Sequence, residues 1–217
     1  MTLEKYRQKR DFRISPEPRG TKAKSKARSL LYVIQKHRAS RLHYDFRLEH
    51  NGALLSWAIP KGPSLDPSVK RLAMQVEDHP IEYGSFEGVI PEGEYGGGTV
   101  MLWDGGTWVP EVSDVDKALQ TGDLKFALKG KKLHGSWALV RTRGFGSNKN
   151  PSWLLIKHRD QFAAKKDVTL EMPKSVSTGR LLKQIASAGG GDVDKAASGD
   201  PSTPARPRKN KRGRRLT

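Results

Sequence analysis

The stretch "LHYDFRLEHNGALLSWAI", residues 42–59, decides the fold class of this chain. Apolar and polar side chains alternate along "LHYDFRLE", as they do in a strand with one buried face. "ALLSWAI" follows the Asn51-Gly52 pair, which is the strongest short-range signal for a type I′ hairpin turn. The stretch therefore predicts two antiparallel strands joined by a tight turn.

Similar short segments continue through the middle of the chain. "RLAMQVE", "TVMLW", "LKFALKG", "SWALVRT" and "SWLLIKH" each predict a strand, and turns with Gly, Pro or Asp separate them. One internal helix is predicted in "SDVDKALQTGD", with Ser113 or Asp114 as its N-cap. No helical periodicity separates the early strands, which disfavours βαβ units. We predict a mainly β fold over residues 30–165, a closed or partly open antiparallel barrel, with a sandwich as the alternative.

Basic segments are predicted to flank this β region. Residues 1–29 are expected to form a short helix, from Thr2 to Arg13, and a mobile arm. Residues 166–217 have the composition of a disordered, low-complexity basic tail, in which "GRLLKQIASAGGG" alone has a short helical pattern. The tail either solubilises the protein or contacts phosphates, and the basic body of the chain favours the second role. Its last part carries Arg206, Arg208, Lys209, Lys211, Arg212, Arg214 and Arg215.

The composition narrows the class of partner. Of the 217 residues, 40 are Lys or Arg and 23 are Asp or Glu, so the formal net charge is +17. Such an excess favours a polyanion, either nucleic acid or an anionic membrane surface. No apolar run reaches membrane-spanning length, and the N-terminus lacks a secretory signal, so we expect a cytoplasmic protein. The absence of cysteine excludes disulfides and thiolate metal sites.

The polar face of the first predicted strand carries candidate metal ligands. His43 and Asp45 share that face, and His37 lies six residues before His43. Imidazole and carboxylate groups suit a divalent cation, and three ligands leave coordination positions open for substrate, as in catalytic sites. Arg47, next on the same face, offers a fork-shaped phosphate binder. The alternative is the ordinary solvated face of an amphipathic strand.

A second polar cluster lies in "RLAMQVEDHPIEYGSFEG", residues 71–88. Gln75, Glu77 and His79 are expected to share one strand face, with Tyr83 just beyond. His79 is either a surface histidine or an acid–base group that faces a phosphate, with Tyr83 as a hydroxyl donor. Lys61 follows the second strand in "WAIPKGPS" and is expected to reach the same pocket.

Two other features are assigned structural roles. "PEGEYGGGTV", residues 91–100, lacks the spacing of a nucleotide-binding loop and predicts a tight turn that allows close backbone approach. His50, His134 and His158 lie at turns or strand ends, and we expect them to lie outside the site.

Several long motifs together resemble the 3′-phosphoesterase module of bacterial end-joining DNA ligases. Residues 6–18, "YRQKRDFRISPEP", resemble the N-terminal arm of that module. The longer motifs are "YVIQKHRASRLHYDFRLEHNGALLSWAIPKGPS", "VEDHPIEYGSFEGVIPEGEYGGGTVMLWDGGTW", "LKGKKLHGSWALVR" and "WLLIKHRD". The resemblance covers roughly residues 5–163.

The resemblance implies a compact β-barrel with a crater-like active site, a manganese-type divalent ion and repair of DNA 3′ ends. Members remove a terminal ribonucleoside by phosphodiesterase action and then the remaining 3′-phosphate, which leaves a 3′-hydroxyl. Partners would be DNA or RNA-containing DNA 3′ ends and an end-joining ligase or other repair proteins, without a membrane. The metal ligands implied by motif are His37, His43 and Asp45. Arg47 and Arg10 would grip the phosphate.

The remaining site residues implied by the resemblance are Gln35, Lys61, Arg71, Glu77, His79 and Tyr83. The sequence departs from the multidomain ligases, because it contains no polymerase domain and no Lys-x-Asp-Gly nucleotidyl-transfer motif. A stand-alone enzyme or an excised module is therefore expected. Rival hypotheses are a non-catalytic nucleic-acid-binding barrel and a scaffold that recruits end-joining factors through its tails. The ligand set also admits zinc, cobalt or iron.

Overall fold

The computed structural model describes residues 3–20, 29–147 and 150–202. The strands in these ranges are β1 (Leu30–Arg38), β2 (Leu42–His50), β3 (Ala53–Ile59), β4 (Lys70–Gln75), β5 (Gly88–Ile90), β6 (Gly98–Pro110), β7 (Asp123–Gly130), β8 (His134–Ser147) and β9 (Asn150–Lys157). The helices are α1 (Glu4–Gln8), α2 (Val115–Thr121), α3 (Val168–Glu171), α4 (Leu182–Ala188) and α5 (Val193–Ala197), with a 3₁₀ helix at Ile81–Ser85.

The strands close into an antiparallel barrel. Their order is β1-β2-β3-β4-β9-β8-β7-β6, and pairing between β1 and β6 closes the ring. The short β5 pairs with the beginning of β6. The predicted mainly β fold with an antiparallel barrel is confirmed, and the sandwich alternative is excluded.

The predicted hairpin and internal helix are both present. Phe46 lies opposite Trp57 in the β2–β3 register, and Asn51 and Gly52 have φ values of 49° and 78°. A type I′ turn needs positive φ at both central residues, which Asn tolerates and Gly adopts without strain. α2 begins after Asp114, whose side chain accepts a hydrogen bond from the Lys117 amide.

The two faces of β2 lie in different surroundings. The Phe46 ring points into the barrel and lies 5.8 Å from that of Phe126 on β7, a strand that does not neighbour β2. Asp45 and Arg47 point to the outer surface, because side chains alternate along a strand. The candidate site therefore lies on the outside of the barrel wall. The interior is filled largely by Trp57, Trp103, Trp108, Trp137 and Trp153.

The N-terminal segment crosses this outer face. Tyr6 packs against Tyr83 and Leu54 in a second, smaller apolar cluster. α1 spans only five residues, so the predicted helix from Thr2 to Arg13 is wrong in extent. After α1, a buried ion pair joins Arg10 to Glu17 within the N-terminal segment. Thr2 and arm residues 21–28 lie outside the described residues.

The predicted low-complexity tail from residue 166 is wrong as far as residue 202. α3, α4 and α5 pack their apolar side chains into the main core, as Leu182 and Ile185 illustrate with 0% and 2% exposure. The polar side chains of Ser175 and Thr178 donate hydrogen bonds to the carboxylate of Glu87, whose side chain is 6% exposed. The short helix predicted in "GRLLKQIASAGGG" is confirmed as α4. Residues 203–217, the most basic part, lie outside the described residues.

Within the described ranges, none of the helices combines the length and apolar character that membrane crossing requires.

Candidate metal and phosphate site

The site is a cavity of about 250 Å³ on the outer wall of β1 and β2. Strand side chains form its floor, and its walls come from the N-terminal segment and from the chain between β4 and β6. Eight of the eleven predicted site residues line it: Arg10, His37, His43, Asp45, Arg47, Glu77, His79 and Tyr83.

The three predicted metal ligands converge at this cavity. His37 and His43 lie directly opposite each other in the β1–β2 register, and Asp45 follows two residues later on β2. One ligand atom from each residue lies within 4.8 Å of the other two. The distance from His37 Nδ1 to Asp45 Oδ2 is 3.5 Å, and that from His43 Nε2 to Asp45 Oδ1 is 3.6 Å. Antiparallel pairing thus assembles ligands that lie on different strands.

Backbone carbonyl groups orient both imidazoles. His37 Nε2 lies 2.8 Å from the carbonyl oxygen of Gly96, and His43 Nδ1 lies 3.0 Å from that of Arg41. A carbonyl oxygen only accepts, so each of these nitrogens carries the ring proton and donates it. In the neutral rings, the other nitrogen of each histidine is an acceptor that faces the carboxylate of Asp45. Such outer hydrogen bonds are typical of metal-ligating histidines.

The donor set fits a divalent metal ion. Acceptor atoms that face a carboxylate attract it only when a cation, either a metal ion or ring protons, lies between them. Separations of 3.5 and 3.6 Å exceed good hydrogen-bond lengths. They are close to the about 3–3.5 Å between adjacent ligands of a metal with bonds near 2.1 Å. His37, His43 and Asp45 are therefore able to hold a metal ion.

The electrostatic surroundings keep Asp45 ionised. Burial disfavours the carboxylate, but Arg47 and the imidazoles of His43 and His37 outweigh burial and hold the pKa of Asp45 well below its ordinary value. For His43, burial lowers the pKa, while the charge and hydrogen bond of Asp45 more than offset burial and raise it. The Asp45 carboxylate therefore stays negatively charged and attracts cations.

A buried network holds Arg47 in one orientation. Its Nε donates to Gln35 Oε1 at 2.8 Å, and its Nη1 donates to Ser56 Oγ at 2.7 Å. Its Nη2 lies 3.4 Å from Asp45 Oδ2, which brings one edge of the guanidinium beside the metal ligands. Gln35 is fully buried and donates to the carbonyls of Tyr83 and Phe86. Gln35 therefore positions Arg47 from behind and does not line the cavity.

Arg10 enters the site from the N-terminal segment. Its Nε donates to Glu17 Oε1 at 2.8 Å, and its Nη1 donates to the Tyr6 carbonyl at 3.0 Å. Nη1 also lies 3.5 Å from Glu77, and Nη2 lies 3.3 Å from His79 Nε2. Two carboxylates and a carbonyl thus fix a second guanidinium at the cavity wall.

In the folded protein His79 is held in its neutral form, which limits the acid–base role that the sequence predicts for it. Its Nδ1 lies 2.9 Å from the Glu77 carbonyl oxygen, so Nδ1 donates, and Nε2 accepts from Arg10. Burial first, and then Arg47 and Arg10, lower the pKa of His79 well below its ordinary value. His79 therefore faces the cavity as a neutral imidazole with an acceptor nitrogen, and in this state Nε2 has no proton to donate.

Tyr83 presents a hydroxyl group to the cavity. Burial raises its pKa well above the ordinary value, so the phenol keeps its proton. Among the described residues, none forms a hydrogen bond with this hydroxyl. The Arg47 guanidinium lies 4.8 Å from the centre of the ring and the His79 ring packs edge-on against it. Tyr83 is therefore oriented as a donor to a bound group.

Two predicted residues are not brought to the site. Lys61 lines a separate cavity on the other side of the β1–β2 hairpin. Arg71 lies on the same face of β4 as Gln75, and the β3–β4 register places that face with Trp57, toward the barrel interior. Motif membership predicted both residues at the site, but strand alternation turns Arg71 inward, and the turn after β3 carries Lys61 to the other cavity.

The predicted shared face of Gln75, Glu77 and His79 is also wrong. β4 ends at Gln75, whose side chain accepts a hydrogen bond from Trp153 in the barrel interior. The chain then leaves the sheet, and this departure allows Glu77 and His79 to line the cavity.

The glycine-rich turn before β6 makes the close approach that the sequence predicted. Gly98 has a φ of 148°, and a Cβ atom there would lie 2.2 Å from the Arg38 carbonyl oxygen. This approach brings the turn against β1, where the Gly96 carbonyl accepts from His37. The turn thus orients a candidate metal ligand.

Sequence reasoning missed the residues at the rim. Lys9 Nζ lies 2.9 Å from Glu77 and 3.0 Å from the hydroxyl of Tyr95, an aromatic residue that is 48% exposed. Tyr95 lies in the segment of residues 91–100, which the sequence predicts only as a turn. Glu17 lies in the Pro-rich segment assigned to the mobile arm. No local sequence pattern predicts its ion pair with Arg10.

Comparison with known proteins gives a consistent set of relatives. A family model described as "DNA Ligase D 3′-phosphoesterase domain" matches residues 35–141. A Pseudomonas aeruginosa protein named "Multifunctional non-homologous end joining protein LigD" is 53% identical over 184 residues, which are 83% of this chain and 22% of the relative.

Two further relatives come from mycobacteria and carry the name "Multifunctional non-homologous end joining" LigD. The Mycobacterium tuberculosis protein is 46% identical over 142 residues, 65% of this chain and 18% of its own length. The Mycolicibacterium smegmatis protein is 40% identical over 164 residues, 73% of this chain and 21% of its own length. The chain thus spans about a fifth of the length of the curated relatives it matches.

Proposed function

Because this chain belongs to the family of DNA ligase D 3′-phosphoesterase domains, we propose that it is a metal-dependent phosphoesterase that heals DNA 3′ ends. It removes a terminal ribonucleoside by phosphodiesterase action and the 3′-phosphate by phosphomonoesterase action, and it leaves a 3′-hydroxyl. A 3′-hydroxyl is the end that a ligase joins, so the partner is an end-joining ligase or another repair protein. The name of the relatives supports this setting.

One observation carries the proposal. Two imidazoles, each oriented by a backbone carbonyl, direct acceptor nitrogens at the Asp45 carboxylate beside the fixed guanidinium of Arg47. A site for a cation next to a preorganised phosphate-binding group is what phosphoryl transfer requires. The polar side chains of an ordinary solvated strand face would be exposed to water, and would not be buried as these are.

The chain's own residues manage the charge of the phosphate. A divalent ion, with manganese as our proposal, would act at His37, His43 and Asp45 as a Lewis acid that neutralises phosphoryl oxygens. Arg47 and Arg10 add two guanidinium groups. Buried partners already hold both groups in position, so these groups need little reorganisation when charge develops. Glu17 and Gln35 serve as positioning residues for these two arginines.

The cavity also provides proton-handling groups. At an end with two ribonucleotides, the 2′-hydroxyl of the penultimate nucleotide attacks the phosphorus and loses its proton, while the bond to O5′ of the terminal nucleoside breaks and that oxygen gains a proton. Water then opens the resulting 2′,3′-cyclic ester to the phosphomonoester. His79 Nε2 is an acceptor in the free protein, so His79 accepts a proton or a hydrogen bond during the reaction. Tyr83, which keeps its proton, donates to a phosphoryl oxygen.

The surface near the site suits a nucleic-acid end. Lys9 and Tyr95 stand at the rim, and the exposed ring of Tyr95 offers a face on which a terminal base stacks. The net charge of +17 attracts the phosphate backbone over longer distances.

The decisive experiment uses 5′-labelled primer–templates that end in two ribonucleotides, in a 3′-phosphate or in a deoxynucleotide with a 3′-hydroxyl. Each is incubated with the protein and with manganese, zinc, cobalt, iron or magnesium. We expect shortening of the ribonucleotide end and loss of the 3′-phosphate with manganese, and no change to the 3′-hydroxyl end.

The matched control is Asp45→Asn, which keeps the shape of the side chain but removes a charged ligand. Tight DNA binding without turnover on any end, with any metal, would instead support a non-catalytic nucleic-acid-binding barrel. Turnover by Asp45→Asn equal to that of the unchanged protein would contradict the assigned site.

A further inference from the structure

Lys36 is a buried lysine outside the site described above. It precedes His37 on β1, so its side chain points to the opposite side of the strand. The residue is 2% exposed, and its ammonium lies 5.8 Å from the centre of the Tyr44 ring. Over the described ranges, the side chain of Lys36 forms neither a hydrogen bond nor a direct ion pair. An ammonium group removed from water without an acceptor is costly, so a partner for it is expected.

Lys36 lines a cavity of about 590 Å³ between the end of the barrel and the C-terminal helices. The cavity shares no lining residue with the cavity that holds His37, His43 and Asp45. Lys61, one of the predicted site residues that the outer-wall cavity does not include, is exposed at its edge. The hydroxyl groups of Thr169 and Ser198 also line it, but each already donates its proton, to Asp167 and to the Lys195 carbonyl respectively. The cavity thus has space and two cations.

The charge balance of this cavity favours an anion. Its acidic residue, Asp200, uses its two carboxylate oxygens to accept from the backbone amides of Leu182 and Lys183, each at 3.0 Å. The hydrogen-bonding capacity of Asp200 is thereby used at the beginning of α4, although its charge still attracts Lys36. Among the residues that the structure describes, neither lysine side chain forms a direct ion pair or hydrogen bond. Two lysines against one carboxylate leave an excess of positive charge in the lining.

We propose that this cavity is a second anion site, which binds a phosphate group between buried Lys36 and exposed Lys61. A phosphate offers several oxygens to separate point-charge donors, and ammonium groups suit it. The occupant is either a backbone phosphate of the nucleic-acid strand or free inorganic phosphate. The strand source has a physical argument, because Pro201 and Ser202 line the cavity and the basic residues of 203–217 follow directly. Phosphate binding here does not depend on the proposed catalytic function.

The first test measures binding of inorganic phosphate by isothermal titration calorimetry. The full chain carries Arg47→Ala throughout, to weaken phosphate binding at the outer-wall site. In this background we expect Lys36→Met to lower phosphate affinity by about tenfold or more, because a charged donor is removed. The control is Lys129→Met, which removes one exposed positive charge on β7, outside both cavities. Equal phosphate affinities in these two proteins would overturn the proposal.

Thermal melting separates a ligand site from a structural ion pair. Without phosphate, Lys36→Met should melt at the same temperature as Lys129→Met or higher, because a buried cation without a hydrogen-bond partner has been removed. With phosphate, the melting temperature of Lys129→Met should rise and that of Lys36→Met should rise less. A lower melting temperature of Lys36→Met, with the same response to phosphate, would show a structural role instead. Should Lys36→Met not fold, an unchanged phosphate affinity in the exposed Lys61→Met variant counts against the site.

The source of the phosphate follows from the salt dependence of DNA binding, measured on a duplex with a 3′-hydroxyl end. If Lys36 neutralises one backbone phosphate, the slope of log affinity against log salt should be smaller by about 0.9 in Lys36→Met than in Lys129→Met. Equal slopes together with abolished phosphate binding would identify free inorganic phosphate as the occupant. A reduced slope would identify the strand. Failure of turnover would leave either result intact and would bear only on the proposed function.

Discussion

Two histidines of this chain have one ring nitrogen tied to a backbone carbonyl and the other directed at Asp45. This arrangement separates them from His134, which does not line the cavity. We predict that His43→Ala abolishes stoichiometric manganese binding and turnover but leaves the fold intact, because the His43 side chain is 23% exposed. Titration calorimetry with manganese and a melting curve check this, with His134→Ala as the control. Full metal occupancy in the His43→Ala protein would remove His43 from the ligand set.

Arg47 has both a structural and a catalytic candidate role, which kinetics can separate. Loss of a preorganised charge donor typically costs about 3–4 kcal/mol, roughly a hundred- to a thousand-fold in rate. We expect a loss of this size in kcat for Arg47→Ala on a 3′-phosphate end. Arg47→Lys should recover only part of the rate, because lysine lacks the fork that also contacts Gln35 and Ser56.

Metal affinity and stability supply the contrast for Arg47. Manganese affinity should barely fall, or should rise, because a cation 3.4 Å from Asp45 has been removed. Near-normal turnover combined with a much lower melting temperature would mean that Arg47 only steadies the strand.

The depressed pKa of His79 predicts a pH dependence of stability. Unfolded histidine has a pKa of about 6.5, whereas folded His79 stays neutral to lower pH. Below about pH 6.5 the unfolded chain therefore binds one more proton at this position, and stability falls as the pH falls. Between pH 7.5 and 5.5 this group should remove on the order of 1 kcal/mol of unfolding free energy.

The check for His79 is denaturant unfolding at both pH values, without metal. The loss of stability should be smaller by that amount in His79→Gln than in the control His134→Gln. His43, whose raised pKa acts in the opposite direction, is present in both variants and cancels. Equal losses in the two variants would mean that His79 titrates normally in the folded protein.

Among the elements, the C-terminal helices behave as part of the barrel. Ile185 on α4 is 2% exposed within the main core. Deleting such a side chain leaves a cavity, so Ile185→Ala should cost about 2–5 kcal/mol of unfolding free energy. Lys183→Ala, an exposed change on the same helix, should stay within about 0.5 kcal/mol. Denaturant unfolding measures the unfolding free energy of both variants. Equal, small losses in the two would mean that α4 is only loosely attached to the barrel.

The whole molecule combines a compact barrel with strongly basic ends. Deleting residues 205–217 removes seven Arg and Lys residues. We expect a shallower salt dependence of DNA binding, by roughly 0.9 in slope for each phosphate that the shortened chain no longer neutralises, with unchanged turnover at saturating substrate. Affinities measured between 50 and 200 mM salt (about the range in which such slopes are read) provide the test. The same slope in both proteins would show that this segment does not bind DNA.

The sequence by itself determined the barrel and most of the site. Period-two alternation and the Asn51-Gly52 turn predicted β2, β3 and their pairing, because strand geometry and turn chemistry are local properties. The same alternation placed His43, Asp45 and Arg47 on one face. The local patterns also indicated His37, Glu77, His79 and Tyr83, and the family motifs added Arg10; all five line the cavity.

Only the tertiary structure decided which side of the wall each remaining residue faces. The β3–β4 register turns Arg71 inward, and the end of β3 directs Lys61 into a second cavity. Packing of α4 onto the barrel converted a predicted tail into core, because the free energy of burying Leu182 and Ile185 depends on an apolar surface made by distant strands. The neutral state of His79 likewise results from Arg10 and Arg47, which folding brings beside it from separate segments.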